Sequence, residues 1–225
     1  MSSSRRGEHS LSIRLQSLAD YYHGQEEVWD IGCDHGLLGL SFQNIETVKE
    51  IYLVDPSELV IKDLQLKLID SHIPVRDILL KLHVLHQTGQ SLKLSPFSKC
   101  IFIAGMGGKE IGEILSHLIS QISEKDRIVI SPHRKILELR QHLSSMPLGL
   151  KEEAVIEEND QFYQIMVLEK CSDLPKTSLY GTDLWHGRTG LRYLEREKRN
   201  FMIHQDEISR RYVQYLEDII AEQGD

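Results

Sequence analysis

Two apolar segments that each carry an aspartate near their end constrain the fold of this chain more than any other feature. Residues 28–36 read VWDIGCDHG and residues 51–55 read IYLVD. β-Branched and aromatic residues favour strands, and the leucine-rich pattern that follows Gly36 is typical of a helix. The two segments therefore predict a βαβ unit with an acid at the end of each strand.

An acid at the end of the second strand of a βαβ unit usually hydrogen-bonds the two hydroxyls of an adenosine ribose. Glycines in the first turn let a ligand approach the bare main chain, with helix N–H groups directed at it. We therefore predict that the first third of the chain binds an adenosine-containing cofactor. The expected contacts here are Asp30, Gly32, Gly36, Asp55 and Pro56.

The spacing of the glycines distinguishes between cofactors. Dinucleotide sites favour Gly-x-Gly-x-x-Gly, because a pyrophosphate lies on the helix N-terminus. This chain has glycines at positions 32, 36 and 39 and carries Asp34 where the middle glycine would be. A carboxylate there repels a pyrophosphate but tolerates the cationic sulfonium and amino group of S-adenosylmethionine. We expect that the cofactor is S-adenosylmethionine. The alternatives are a dinucleotide cofactor and a turn that binds no ligand.

Strand-like and helix-like segments alternate along the rest of the chain. Five βα units that end in a hairpin are typical of a doubly wound α/β sheet with one antiparallel edge strand. We expect an α/β domain over residues 1–172 and a C-terminal helical extension over residues 173–225. The later predicted strands are, in chain order, 82–86, 99–104, 127–131, 152–157 and 162–169.

Residues 101–108, IFIAGMGG, place three glycines within four positions after the fourth strand. Strand four lies beside strand one in such sheets, so its end faces the ligand. Main chain without side chains forms a floor on which a flat ligand can lie, although a tight turn also uses one or two glycines. The expected contacts are Ala104, Gly105 and Met106 with the cofactor, and Gly107, Gly108 and Lys109 with the substrate.

Composition limits the partners and the compartment. The net charge of −8 argues against a nucleic-acid partner unless a local basic patch overrides it, because phosphate contacts need Lys and Arg. The apolar runs are too short to span a membrane, and the first residues lack the apolar stretch of a signal peptide. Three widely spaced cysteines indicate reduced thiols rather than disulfides or a zinc site. We expect a cytoplasmic protein with no membrane contact and no metal.

The motifs together resemble those of the bacterial tRNA (adenine-22-N1)-methyltransferase family. The resemblance rests on DIGCDHGLL at residues 30–38 and IAGMGG at residues 103–108. Shorter similarities lie at residues 11–16, 130–133, 157–163 and 180–181, so the resemblance spans nearly the whole chain. It implies a seven-stranded class I methyltransferase fold, S-adenosylmethionine as methyl donor and methylation of a tRNA adenine at N1.

The chain departs from the family pattern at Gly39, where the family has a proline, in its shorter helical tail, and at two predicted site positions. The family has Gly-Asp-Gly after the third strand, whereas this chain has Gln87-Thr88-Gly89, so a threonine hydroxyl replaces the acid that meets the cofactor adenine. We still expect Thr88 and Gly89 to contact the cofactor. The fifth-strand motif ends in His133 instead of asparagine. These departures leave a non-catalytic or retargeted S-adenosylmethionine-binding protein as the alternative function, with a dinucleotide-dependent oxidoreductase as the weakest one.

Methylation of adenine N1 needs alignment more than a strong base, because N1 already has a lone pair. Asp34 is the predicted catalytic group that stabilises the developing positive charge. His35 and His133 are predicted to hold the adenine edge or to receive the proton released afterwards. Purely structural alternatives are a helix N-cap for Asp34, packing against strand four for His35 and an exposed loop position for His133.

The C-terminal residues carry an apolar seam spaced three and four positions apart, which predicts one helix of about 50 Å. The seam must be buried against the domain or against a second chain, which would give a homodimer. Four arginines share one face of this helix and fit a tRNA backbone, unless they form a solvated face. They are Arg188, Arg192, Arg196 and Arg199. The seam comprises Leu191, Leu194, Lys198, Phe201, Gln205, Ile208, Tyr212, Tyr215 and Ile219.

Overall fold

The computed structural model describes residues 11–70, 81–181, 187–204 and 206–222 and contains a seven-stranded sheet. The strands are β1 (Glu27–Ile31), β2 (Glu50–Asp55), β3 (Leu82–His86), β4 (Lys99–Ala104), β5 (Arg127–Ser131), β6 (Gly149–Glu158) and β7 (Gln161–Glu169). Their order across the sheet is β3-β2-β1-β4-β5-β7-β6. The predicted doubly wound, mostly parallel α/β fold is confirmed.

Helices cover both faces of this sheet. Among the described residues they are α1 (Ile13–Ala19), α2 (Leu37–Leu40), α3 (Glu58–Asp70), α4 (Gly108–Leu118), α5 (Ile136–Ser144), α6 (Gly187–Met202) and α7 (Glu207–Glu222). The helix after the first glycine turn, α2, is a single turn of four residues. No helix in the described part of the chain is long and apolar enough to cross a membrane.

The antiparallel strand is not the edge strand, which corrects the prediction. Strand β7 pairs antiparallel with both β5 and β6, so β6 forms the edge. The two strands are joined by Asn159 and Asp160, whose φ angles of 51° and 59° are those of a two-residue hairpin turn. The second strand of the hairpin, rather than the first, therefore fills the position next to β5.

Alternation along the central strands divides the core into two apolar layers. On β4, Ile101 and Ile103 pack with α4 and α5, whereas Cys100 and Phe102 pack with α1, α2 and α3. All four side chains are fully buried. With both faces covered, the carboxyl ends of the parallel strands are where such a sheet binds ligands.

The predicted single C-terminal helix is wrong: the chain forms two helices. Phe201 packs edge-on against Tyr212, with ring centroids 4.8 Å apart, and Lys198 Nζ lies 2.8 Å from Glu217 Oε1. These pairings make α6 and α7 an antiparallel helical hairpin. Asp206 begins the second helix as its N-cap, because its carboxylate accepts hydrogen bonds from the Ser209 N–H (2.9 Å) and hydroxyl (2.6 Å).

The apolar seam is buried within this chain. Its larger members pack with each other and with Leu137 of α5, Val155 of β6 and Phe162 of β7. Of the remaining members, Ile208 is 52% exposed, and Gln205 lies outside the described residues. The seam members in this cluster are Leu191, Leu194, Phe201, Tyr212, Tyr215 and Ile219. The boundary between the two predicted domains stays a prediction.

Candidate active site

A cleft of about 530 Å³ opens at the carboxyl ends of β1, β2, β4 and β5. It contains most of the residues predicted from the βαβ unit and from the end of the fourth strand. The predicted residues that line it are Asp30, Gly32, Asp34, His35, Asp55, Pro56, Ala104, Gly105, Met106 and His133. Ser12, Arg14 and Leu15 of the N-terminal segment complete one side, and these three were not predicted.

Asp55 lies at the end of β2, where an adenosine ribose would be bound. Its side chain is buried, with 8% of the residue surface exposed. Oδ1 accepts a hydrogen bond from the Ser57 N–H (2.8 Å), and Oδ2 accepts one from the Asp34 N–H (3.3 Å). Each carboxylate oxygen has a further lone pair, so Asp55 is oriented by the main chain and can still accept from two hydroxyls.

Asp30 is the most deeply buried acid of the cleft. Its Oδ2 accepts a hydrogen bond from the Gly39 N–H at 2.9 Å, which joins the end of β1 to α2. The pKa of Asp30 is raised to about 7, chiefly by burial and also by the charges of Asp55 and Asp34, while the Gly39 hydrogen bond opposes the rise. A cation bound in the cleft would favour the ionised carboxylate.

Asp34 and His35 lie at the exposed rim of the cleft. Asp34 is not a helix N-cap, because Gly36, with φ of 69°, occupies the N-cap position of α2. The helix-cap alternative for Asp34 is therefore wrong. The polar contacts of His35 are with α3 and Asp34: its Nδ1 lies 3.3 Å from Lys67 Nζ, and its Nε2 lies 3.8 Å from an Asp34 carboxylate oxygen.

Gly32 and Gly105 shape the floor of the cleft. Both have positive φ angles, 77° and 80°. A Cβ on Gly32 would lie 2.1 Å from Cε of Met106, so the methionine side chain packs directly on the first glycine turn. The ends of β1 and β4 are thus held in contact, and the methionine forms the wall between them.

The remaining two glycines of the β4 turn hold α4 against α5 instead of lining the cleft. A Cβ on Gly108 would lie 2.2 Å from the Lys135 carbonyl oxygen. The Gly108 N–H donates to the Arg134 carbonyl at 2.8 Å, and Gly107 forms an isolated bridge with Arg134. The side chain of Lys109 is 84% exposed and faces Glu113. Close packing of two helices therefore explains Gly108, and its predicted contact with the substrate stays a prediction.

Thr88 and Gly89 also lie outside the described lining of the cleft. The Thr88 hydroxyl donates to Ser91 Oγ at 3.3 Å, within a short 3₁₀ turn. A Cβ on Gly89 would lie 2.8 Å from the Ile114 side chain. Both residues shape the turn after β3, and their predicted contact with the cofactor stays a prediction.

Arg14 and Tyr163 join His133 in a cluster that sequence patterns did not predict. Arg14 Nη1 lies 2.9 Å from His133 Nε2, and its guanidinium carbon lies 4.9 Å from the centroid of the Tyr163 ring. Partial burial and the Arg14 charge lower the pKa of His133. Because arginine only donates, Nε2 of His133 is the acceptor, and the neutral ring carries its hydrogen on Nδ1.

A groove of about 850 Å³ adjoins the cleft and shares His133 with it. It runs between α5, the β6–β7 hairpin and the two C-terminal helices. Aromatic side chains are prominent in its walls, together with three Lys or Arg side chains and the three acidic side chains of Glu138, Glu197 and Asp206. The aromatic and basic side chains include Arg134, Lys135, Phe162, Tyr163, Tyr193, Arg196 and Phe201.

The four predicted arginines of α6 do not have equal surroundings. Arg192 Nη1 lies 2.6 Å from Glu157 Oε2, and Arg196 donates to the Asp160 carbonyl (3.3 Å) and Gln161 Oε1 (3.1 Å). Arg188 and Arg199 are exposed. Two of the four arginines therefore attach α6 to the β6–β7 hairpin, a partner that the sequence pattern did not indicate.

No group of three or more His, Cys, Asp or Glu side chains in the described residues is arranged to hold a metal ion. The polar groups of the cleft instead suit an organic ligand with hydroxyls and positive charge. Cys33, which also lines the cleft, is buried, and burial raises the pKa of its thiol far above the usual range. It is therefore not a nucleophile at neutral pH.

Two comparisons by sequence relate the chain to known proteins. The family described as "Methyltransferase domain" matches residues 11–166. A Bacillus subtilis protein named tRNA (adenine(22)-N(1))-methyltransferase is 27% identical over 165 residues, which are 71% of this chain. The match spans 65% of that relative's own length, slightly less than two thirds.

Solved structures share the fold over nearly the whole chain. Sp1610 of Streptococcus pneumoniae, in complex with S-adenosyl-L-methionine, has a TM-score of 0.76 at 20% identity, covering 94% of this chain and 100% of that one. The B. subtilis m1A22 tRNA methyltransferase TrmK has a TM-score of 0.71 at 20% identity, covering 95% and 97%. Since the family match extends over more than half of the sequence, this chain belongs to the methyltransferase domain family.

Proposed function

We propose that this chain is an S-adenosylmethionine-dependent methyltransferase that modifies N1 of an adenine in tRNA, at position 22. The observation that carries the proposal is the meeting of two cavities at His133. The acid-lined cleft has the features of an adenosine site, and a groove rich in aromatic side chains, with charged groups of both signs, leads into it from the C-terminal helices. The names of the B. subtilis relatives, which specify adenine 22 of tRNA, support the choice of substrate.

The residues of the cleft fit S-adenosylmethionine. Asp55 would accept hydrogen bonds from the ribose hydroxyls, and Asp30 and Asp34 would face the positive charges of the methionyl part. The Met106 side chain packs against Gly32 and forms an apolar wall of the cleft beside the Gly105 main chain. When bound, S-adenosylmethionine supplies the electrophilic methyl group. The complex of Sp1610 with S-adenosyl-L-methionine supports this cofactor.

The target adenine would be held near His133 and Asp34. With Nε2 accepting from Arg14, a neutral His133 presents Nδ1–H, so it would donate a hydrogen bond to the adenine edge rather than remove a proton. Asp34, with 71% of its side chain exposed, would stabilise the positive charge that develops on the base. No strong base is needed, because N1 attacks with its own lone pair.

RNA would lie along the groove and α6. The exposed Arg188 and Arg199 are the side chains free to meet phosphates, whereas Arg192 and Arg196 contribute mainly by fixing α6 on the hairpin. Most of the seam that suggested a homodimer packs within the chain, and the homodimer itself stays a prediction.

The direct test is mass spectrometry of tRNA nucleosides after incubation with the protein and S-adenosylmethionine. We expect 1-methyladenosine at position 22, and a loss of it with Asp55→Ala, which should weaken cofactor binding about 10- to 100-fold. Calorimetric titration with NAD is the control for a dinucleotide enzyme. Cofactor binding without any modified nucleoside would favour the retargeted or non-catalytic alternative.

A pair of double variants tests the RNA surface. Arg188→Gln with Arg199→Gln should weaken tRNA binding and reduce the dependence of affinity on salt by about two phosphate contacts. The matched control is Arg210→Gln with Arg211→Gln, exposed arginines on α7. Equal affinities and salt slopes in the two double variants would show that the α6 arginines form a solvated face.

A further inference from the structure

Helix α1 places a guanidinium directly over the end of β4. Arg14 Nη2 lies 3.3 Å from the position that a Cβ of Gly105 would occupy. Nη1 is engaged by His133, and the guanidinium carbon lies over the Tyr163 ring. The Arg14 main chain is fixed as well, because its N–H donates to Glu158 Oε1 at 3.2 Å.

One edge of this guanidinium has no partner. Nε is buried and makes no hydrogen bond, and Nη2 makes none with any described residue. Within the described part of the chain no carboxylate oxygen lies within 4.0 Å of the guanidinium nitrogens of Arg14, and the contact with Glu158 involves only the main-chain N–H. The edge formed by Nε and Nη2 carries two parallel N–H groups, the arrangement that binds a carboxylate through both oxygens.

The charges of the cleft are divided between its two sides. Asp30, Asp34 and Asp55 lie at the ends of β1 and β2, whereas Arg14 is the one Lys or Arg side chain among the described residues of the lining. A ligand with a carboxylate would be repelled by the acidic side and attracted to Arg14. A ligand with an amino acid group, which carries both charges, is complementary to this division.

We propose that the Nε–Nη2 edge of Arg14 binds the carboxylate of the methionyl group of S-adenosylmethionine, an inference that rests on the cofactor named above. Arg14 lines the cleft and not the groove, so a cofactor carboxylate fits it better than an RNA phosphate. Gly105 is part of this subsite, since a side chain there would contact the guanidinium. Nη1 can keep its contact with His133, so the carboxylate and the adenine-binding histidine are connected through one side chain.

The test compares S-adenosylmethionine with its decarboxylated analogue by calorimetry. Wild-type protein should bind S-adenosylmethionine about 10- to 100-fold more tightly than the analogue, the usual effect of a charge-assisted bidentate pair. In Arg14→Gln the affinity for S-adenosylmethionine should fall by about the same factor, while the affinity for the analogue changes less than about threefold. Arg210→Gln, which removes an exposed charge on α7 outside both cavities, should leave both affinities unchanged.

The other possible outcomes would contradict this role of Arg14 or the proposed function. Equal affinities of the wild-type protein for the two ligands would overturn the proposal without any variant, and so would equal losses of both ligands in Arg14→Gln, which would indicate a role in holding α1. A loss of tRNA affinity with unchanged cofactor affinity would assign Arg14 to a phosphate instead. Failure of the wild-type protein to bind either ligand would contradict the proposed function itself.

Discussion

The sheet and the C-terminal helical hairpin are both packed against apolar surfaces, but different contacts hold them. Buried aliphatic side chains such as Ile101 and Ile103 dominate the sheet. The hairpin is held by the aromatic residues Tyr193 and Tyr212 and by a buried charged group on α5, Arg140. Aliphatic packing follows from the alternation of a strand, whereas polar contacts between distant elements need specific partners. The hairpin is therefore the part whose position depends on individual residues.

A buried polar network connects the C-terminal helical hairpin, formed by α6 and α7, to the sheet. Arg140 forms an ion pair with Glu153 of β6, and both side chains are 1% exposed. Arg140 Nη2 also donates to Gln164 Oε1 of β7 at 3.0 Å. Gln164 Nε2 then donates to the Tyr193 hydroxyl of α6 at 2.6 Å. Four elements are thus joined by one chain of hydrogen bonds.

The largest expected effect comes from breaking this network. Arg140→Met should destabilise the protein by about 3–5 kcal/mol, because it leaves a buried carboxylate without its guanidinium. Urea unfolding measures the loss. Arg127→Met is the control, since its ion pair with Glu169 is partly exposed and should contribute about 1 kcal/mol. Equal losses would mean that the buried network has no special part in stability.

Substitutions that create a cavity beside the sheet or in the C-terminal helical hairpin test whether these two regions unfold separately. Leu194→Ala in α6 and Leu115→Ala in α4 each remove a buried side chain and should cost about 2–5 kcal/mol. Hydrogen exchange should show faster exchange in α6 and α7 for Leu194→Ala, with β4 still protected. If β4 exchanges equally fast in both variants, sheet and hairpin form one cooperative unit.

A buried acid in each region gives a pH-dependent effect. Asp30 has its pKa raised to about 7 in the folded protein, so it stays protonated at pH values where the unfolded chain has already ionised it. Its contribution to stability therefore falls as pH rises from about 4 to 7, by about 1.4 kcal/mol for each pKa unit of difference. Asp30→Asn keeps the acceptor for Gly39 and should gain stability relative to wild type over this range.

Glu197 of α6 is the counterpart in the hairpin, because burial also raises its pKa. Glu197→Gln should show a gain of the same sign, confined to the hairpin. Unfolding midpoints at pH 5, 6, 7 and 8 measure both variants. A stability difference from wild type that does not change with pH would contradict the raised pKa values.

The smallest expected effect concerns the surface of the hairpin. The Arg192 side chain is 51% exposed in its ion pair with Glu157, so Arg192→Gln should cost less than about 1 kcal/mol. Arg211→Gln, which removes an exposed pair with Glu207, is the control. A loss above about 2 kcal/mol for Arg192→Gln alone would show that exposed contacts, and not only the buried network, hold the hairpin in place.

The same comparison explains what could be predicted from the sequence. The strands and the cleft acids Asp30 and Asp55 follow from local patterns, because a parallel strand with an acid at its end carries its own signature. The break of the helical hairpin does not follow from the seam, whose spacing continues through it. The Asp206 cap, with Ser209 three residues later, is a local signal for a helix start that the spacing of the seam does not contain.

The contacts that only tertiary structure reveals were missed for a different reason. Arg14 lies in an amphipathic helix like many other arginines, and its role depends on where α1 packs relative to His133. The three glycines after β4 predicted a floor for the ligand. Gly108 instead allows α5 to pack closely against α4. Local patterns do not distinguish a glycine next to a ligand from a glycine next to a carbonyl of another helix.

The attachment of α6 through Arg140 and Tyr193 fixes the positions of the exposed arginines along this helix. Arg188 and Arg199 are eleven residues apart on it, which corresponds to about 16 Å at 1.5 Å per residue. Because the buried network fixes α6 to the sheet, this interval is also fixed relative to the cleft. Under the proposed function, an RNA that contacts both arginines would be selected by the distance between phosphates in its folded shape.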